Sequence, residues 1–217
     1  MKPLRLALFG FGTVGQWLAE ALHTRRAWLE QEYGLVVTLI SVATAHHGLI
    51  YQSEGLDIPT LLDVVATRQP LTAHPSVTHW TNALEGLQAI SGDVLAEATG
   101  ATLRNGEPGL SYIRTALLQG MHVVTSSKGP MALAGLELLS LARAKGVQLR
   151  MESTVMSGMP VREIHSRGDG GNQDPWHPRH PQRYRELHPQ RHGTKFRLCR
   201  STRTSSGAGL CRSRSNR

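Results

Sequence analysis

The stretch LRLALFGFGTVG at residues 4–15 decides how this chain folds. Its first half, residues 4–9, is a short apolar run interrupted only by Arg5, the pattern of a buried parallel strand. The run stops at Gly10, and Gly10, Gly12 and Gly15 then fall in a G-x-G-x-x-G spacing. A helical pattern follows, with Val14, Trp17, Leu18, Ala21 and Leu22 expected on one apolar face. Strand, glycine triplet and amphipathic helix in that order form the fingerprint of a dinucleotide site. Gly10 permits the tight turn, Gly12 lets the backbone approach a pyrophosphate, and Gly15 lets the helix pack closely on the strand. Helix amides at Thr13 and Val14 would then face the phosphate charge. The competing reading is a structural glycine turn without a ligand.

Outward from this turn the pattern keeps alternating. Residues 35–43 (LVVTLISVA), 93–98 (DVLAEA), 121–125 and 147–152 read as strands. Residues 60–67, 109–119 and 130–145 read as helices, with Pro130 suited to a first turn, and residues 44–59 as a polar loop. The expected fold class is α/β, a mostly parallel Rossmann-type sheet with flanking helices. No stretch approaches the ~20 apolar residues of a membrane span, so no membrane partner is expected. The N-terminal run ends in glycines and reads as a strand rather than a signal peptide. No cysteine precedes Cys199, so this part relies on no disulfide and a cytoplasmic location is expected.

Composition breaks near Gln173. Residues 1–173 hold 13 Lys+Arg against 14 Asp+Glu, whereas residues 174–217 hold 11 against 2. The excess behind the net charge of +8 therefore sits entirely in the tail, which weakens a nucleic-acid reading of the whole chain. The expected division is a nucleotide-binding domain over residues 1–173 and a basic, disordered tail over 174–217. Cys199 and Cys211 lack any CxxC pairing, which argues against zinc.

Further candidate site residues lie at the ends of the expected strands, where ligands of open α/β sheets collect. An acidic ribose ligand would ordinarily close the second strand, but Thr44, Ala45, His46 and His47 stand there. With no carboxylate to repel a 2′-phosphate, the reading leans from NAD to NADP, with His46 or His47 able to bond that phosphate. Exposed loop histidines are the competing view. TSSKGP at 125–130 puts Lys128 between a strand end and a helix start, where it can stabilise charge developing on a carbonyl. ESTVMSGMP at 152–160 could offer backbone carbonyls to a cation, with Glu152 supplying charge. From chemistry alone, a simple interdomain turn is the stronger reading of that segment.

GFGTVG at 10–15, GLIYQSEGLDI at 48–58, EATG at 97–100, GEPGLSYIRTALLQGMHVVTSSKGP at 106–130 and MESTVMSGMPV at 151–161 together resemble homoserine dehydrogenases. The resemblance spans essentially all of residues 1–173. It implies NAD(P)H-dependent, reversible reduction of aspartate 4-semialdehyde to homoserine, a step of amino-acid biosynthesis, by an enzyme that is a homo-oligomer when intact. It also implies that Thr13, Val14, Thr99 and Lys128 touch the cofactor, with Lys128 close to the substrate as well. Glu152, Val155, Ser157 and Met159 match the family's site for a monovalent cation, Na+ or K+, mostly through main-chain oxygens. One departure is Ser126 and Ser127 before Lys128, where Ala-Asn is usual. An acylating aldehyde dehydrogenase is disfavoured, because it needs a thiolate and residues 1–173 contain no cysteine. Another Rossmann oxidoreductase is the nearest rival.

In the family, a Gly-Asn-x segment leads through a strand to GILNGTxNYIL. Here Gly171, Asn172 and Gln173 arrive on schedule and the text then changes. Read one nucleotide later, the degenerate codons of residues 176–192 permit GIRGILNGTVNYILSDM. Those of residues 210–216, shifted alike, permit YAEADPT, the motif that opens the family's catalytic region. The expectation is therefore a frameshift just after Gln173, leaving the chain without a correctly encoded substrate domain and with little or no dehydrogenase activity. A genuine basic tail that contacts nucleic acid is the competing view.

Overall fold

The structure, a computed structural model, describes residues 3–100, 102–151 and 154. The chain opens with β1 (Leu4–Phe9), α1 (Thr13–Thr24), α2 (Arg26–Tyr33), β2 (Val37–Thr44) and β3 (Gly48–Tyr51). It continues through α3 (Ile58–Ala66), a 3-10 turn (Leu71–Ala73), β4 (Thr78–Trp80), α4 (Ala83–Ala89) and β5 (Val94–Glu97). It then runs through α5 (Gly109–Leu118), β6 (His122–Thr125), α6 (Lys128–Ala144) and β7 (Leu149–Arg150). Among the described residues, seven strands form one sheet in the order β4-β3-β2-β1-β5-β6-β7.

The expected parallel core is present: β2, β1, β5, β6 and β7 all run the same way. The chain builds outward from β1 through β2, then returns to place β5 on the other side of β1. The β1–β5 boundary is therefore the topological switch point, the place beyond the strand carboxyl ends where open α/β sheets collect ligands.

Residues 44–59, expected as a loop, instead contain β3, which pairs antiparallel with β2 and is extended by β4. The cause is local. A turn at residues 45–47 hands the chain to Gly48 at φ +67, and the apolar run Leu49–Ile50 then buries completely. Helices α2 and α4 were also unforeseen. The expected helix over residues 60–67 starts earlier, where the Asp57 side chain caps α3 by accepting from the Thr60 amide at 2.9 Å and from the Thr60 hydroxyl at 2.6 Å.

Two apolar layers cover the sheet. On one face Phe9, Leu95, Val123 and Leu149 pack with Leu87 of α4, Ile113 and Leu117 of α5 and Leu138 of α6. On the other, Leu6, Leu8, Val42 and Ala96 pack with Ala19 of α1 and Leu61 of α3. This second layer thins toward β6, where Val124 is 47% exposed.

The rotation of α1 differs from expectation. Val14 and Trp17 are 60% and 56% exposed rather than buried. Gly15 seats against the Gly10 carbonyl, and the residues that share its helical face are Leu18, Ala19 and Leu22. The close approach at one glycine, not the mean apolarity of the helix, sets which side faces the sheet.

Candidate dinucleotide site

The glycine turn is built almost wholly from backbone. Gly10 has φ +94, a conformation that favours glycine, and a Cβ there would overlap the Ala98 carbonyl. The Gly10 amide donates to the Ala43 carbonyl at 2.9 Å, and the Ala98 amide donates to the Phe9 carbonyl at 2.7 Å. These bonds clamp the turn between the ends of β2 and β5. Gly15 admits no Cβ either, because one would overlap the Gly10 carbonyl.

Gly12 differs from its two partners. A Cβ on it would meet nothing within 4 Å. It caps α1 with no side-chain hydrogen bond, and the first turn of that helix carries no acidic residue. Among the described residues, the cap of α1 thus offers no side chain to its leading amides and its first turn brings no negative charge, the arrangement that attracts a phosphate anion. Thr13 and Val14 are exposed beside them. A dinucleotide pyrophosphate fits this cradle: the space that a Gly12 side chain would fill is open.

Thr99 lies two residues past the end of β5, in the segment that Gly10 touches. Lys128 is the first residue of α6 and is exposed, at the carboxyl end of the neighbouring strand β6. Gly129 presses on the Thr102 carbonyl so closely that a Cβ would overlap it, which fixes the start of α6 against the loop after β5. Gly10 thus touches the loop after β5 at Ala98 and Thr99, and the hydroxyl of Ser127, next to Lys128, lies 2.8 Å from the Thr99 carbonyl oxygen, so the glycine turn and the start of α6 meet the same loop. Glu152, Val155, Ser157 and Met159 lie outside the described residues; the approach to them ends at Met151, whose carbonyl accepts from the Thr154 amide at 3.0 Å.

At the end of β2, Thr44 stands where an acidic ribose ligand would ordinarily be, and its Oγ1 accepts from the His47 amide at 3.0 Å. His46 and His47 are both exposed on that turn.

A group that sequence reasoning passed over joins the two loops. Glu97 closes β5 and is 2% exposed, and the hydroxyls of Thr99, Thr125 and Ser127 all donate to its carboxylate. The signal was available: a glutamate within the apolar strand DVLAEA is a rare residue to bury unless partnered. Nearby, the half-buried Tyr112 packs edge-on against Phe9 with ring centroids 4.8 Å apart. Burial pushes its phenol pKa up, and the charges of Glu107 and Glu97 add to that rise.

The model of the homoserine dehydrogenase NAD-binding domain matches residues 10–152. The NAD(+)-dependent homoserine dehydrogenase of Pseudomonas canavaninivorans is 35% identical over 174 residues, covering 79% of this chain and 49% of that protein. A putative homoserine dehydrogenase from Archaeoglobus fulgidus superposes with a TM-score of 0.63 at 33% identity, over 76% of this chain and 47% of that one. A hyperthermophilic archaeal homoserine dehydrogenase in complex with NADPH gives the same TM-score, 0.63, at 25% identity, over 75% of this chain and 48% of that one. The chain thus spans about half the length of the relatives it matches. With a family model covering most of the described residues and its glycine turn at the switch point of the sheet, the chain belongs to the homoserine dehydrogenase family and carries its NAD-binding domain.

Proposed function

We propose that this chain is the cofactor-binding part of a homoserine dehydrogenase, which interconverts aspartate 4-semialdehyde and homoserine. The observation that carries the reading is the uncapped start of α1, opened by Gly12 and seated at the β1–β5 switch point. When bound, the nicotinamide dinucleotide supplies the hydride for carbonyl reduction. The chain's own residues bind and orient. Gly12, Thr13 and Val14 would present amides to the pyrophosphate, and Gly10 and Gly15 would hold that turn in place. Thr99 would meet the cofactor beyond β5. Lys128, exposed at the start of α6, would offer its ammonium to the oxygen on which negative charge grows during reduction.

NADP is favoured over NAD, because the turn after β2 presents Thr44, His46 and His47 rather than a carboxylate. Titrating the chain with NADPH and NADH tests this: tighter NADPH binding is expected, and tighter NADH binding overturns the preference. The monovalent-cation role of Glu152, Val155, Ser157 and Met159 rests on sequence resemblance. So does the homo-oligomeric state of the intact enzyme.

We propose further that residues 174–217 are an out-of-frame translation of the start of the substrate domain. The two family motifs legible one nucleotide over, in order, support this. The nucleotide sequence across codons 170–220 tests it, and an unbroken frame with no room for an indel contradicts it. A frame-restored gene should yield homoserine oxidation, whereas the 217-residue chain should not. Turnover of other alcohols but not homoserine by the restored protein would favour a different Rossmann oxidoreductase. Salt-dependent binding of nucleic acid to residues 174–217 would favour the basic-tail reading.

A further inference from the structure

Glu97 lies at the switch point, and its placement asks for a reason. A buried carboxylate loses its hydration, and an apolar residue at the end of β5 would avoid that cost. Among the described residues its partners are neutral. Oε1 accepts from the Thr99 amide at 2.9 Å, from the Thr99 hydroxyl and from the Ser127 hydroxyl at 2.9 Å. Oε2 accepts from the Thr125 hydroxyl. The Glu97 backbone carbonyl accepts from the Ser126 amide at 3.0 Å.

The network closes on itself. The Ser127 amide donates to Thr125 Oγ1 at 3.0 Å, and Ser127 Oγ lies 2.8 Å from the Thr99 carbonyl oxygen. One side chain therefore fixes two loops: the one after β5 that carries Thr99, and the one after β6 that delivers Lys128. Ser127 sits between the two loops, its hydroxyl against both Glu97 Oε1 and the Thr99 carbonyl oxygen, beside the direct bond from the Thr99 amide to Glu97.

A dinucleotide lies across a switch point with one half on each side, its adenosine ribose toward the end of the second strand. The ends of β5 and β6 are on the opposite side of β1 from β2. They therefore underlie the nicotinamide half.

We propose that Glu97 is a positioning residue for the nicotinamide half of the cofactor, acting by locking together the loops that carry Thr99 and Lys128. This rests on the cofactor reading above. It makes a prediction that a merely structural role does not, because the pyrophosphate cradle at Gly12 uses none of these bonds.

The test titrates the purified 217-residue chain with NADPH and with 2′-phospho-ADP-ribose, which lacks the nicotinamide. Glu97→Gln should weaken NADPH binding about tenfold, the loss expected when hydrogen bonds to a charged acceptor are disrupted. It should leave 2′-phospho-ADP-ribose within about twofold, since that ligand uses the glycine turn. Thr125→Val, which removes one hydroxyl and keeps the shape, should give the same selective loss at smaller size and serves if Glu97→Gln fails to fold. Equal weakening of both ligands, or no weakening of NADPH, overturns the proposal. So does an unsubstituted chain that binds both ligands equally well, while leaving the cofactor reading intact. If the unsubstituted chain binds neither, the cofactor reading fails and this inference with it.

Discussion

The turn at Gly10–Gly15 and the cluster at Glu97 meet the same loop after β5 but are made of different material. The turn works through backbone amides that no side chain may obstruct, and two of its three glycines stand where a Cβ would overlap a carbonyl. The cluster works through side chains, three hydroxyls converging on one buried carboxylate. In the proposed reading the first is an opening for a ligand, whereas the second joins the loops after β5 and β6. Removing atoms should therefore harm the cluster, and adding atoms should harm the turn.

Gly10→Ala should have the largest effect on stability. It combines a left-handed φ with overlap of the Ala98 carbonyl, for a loss of about 3 kcal/mol or more, read as a fall in the thermal midpoint. An unchanged midpoint would break the claim that Gly10 is required by the fold. Ser127→Ala should follow, at roughly 1–3 kcal/mol, because it withdraws a donor from buried Glu97. Urea midpoints measure this, and a loss below about 0.5 kcal/mol would mean the cluster is held by its other bonds.

Asp57 sharpens the comparison. It too accepts from a threonine amide and hydroxyl, both of Thr60, but at an exposed helix cap rather than at a buried strand end. Asp57→Ala should remove only about 1 kcal/mol. The Thr60 hydroxyl, followed by its amide, holds the Asp57 carboxyl below the usual aspartate pKa. A carboxylate with a lowered folded pKa contributes above its unfolded pKa, and that contribution disappears as pH falls through the folded value. The gap between Asp57→Ala and the parent should thus be full at pH 7, begin to narrow near the unfolded aspartate pKa of about 4, and go on narrowing as pH falls through the lower folded value. A gap that persists undiminished at pH 2 would assign the effect to something other than the charged cap.

Gly12→Ala should perturb the fold least, by less than about 1 kcal/mol, since its φ of −81 suits any residue and its surroundings are open. Its effect should fall on cofactor binding if the proposed reading holds.

The two regions were also unequally visible in the amino-acid sequence. The turn is local: strand, glycines and helix sit within residues 4–24, so spacing alone revealed it. The cluster draws on Glu97, Thr99, Thr125 and Ser127, which become neighbours only when β5 and β6 pair in register, Glu97 beside Thr125. No linear pattern announces that. The face of α1 was misjudged because apolarity pointed to Val14 and Trp17, whereas the contact of Gly15 with the Gly10 carbonyl set the rotation. The β2–β3 hairpin was missed because its loop residues are polar and the strand that follows is only four residues long. Lys128 and Thr99 were legible as residues at strand ends, but what joins them was not.

The most direct test of the account is a titration of NADPH into the 217-residue chain and its Gly12→Ala variant, with the thermal midpoint of each measured alongside. The glycine-turn account predicts saturable binding to the parent and at least about tenfold weaker binding to the variant, with little change in midpoint, because the added methyl occupies space meant for the pyrophosphate. Absence of saturable binding to the parent, or equal affinity in the two proteins, would contradict it.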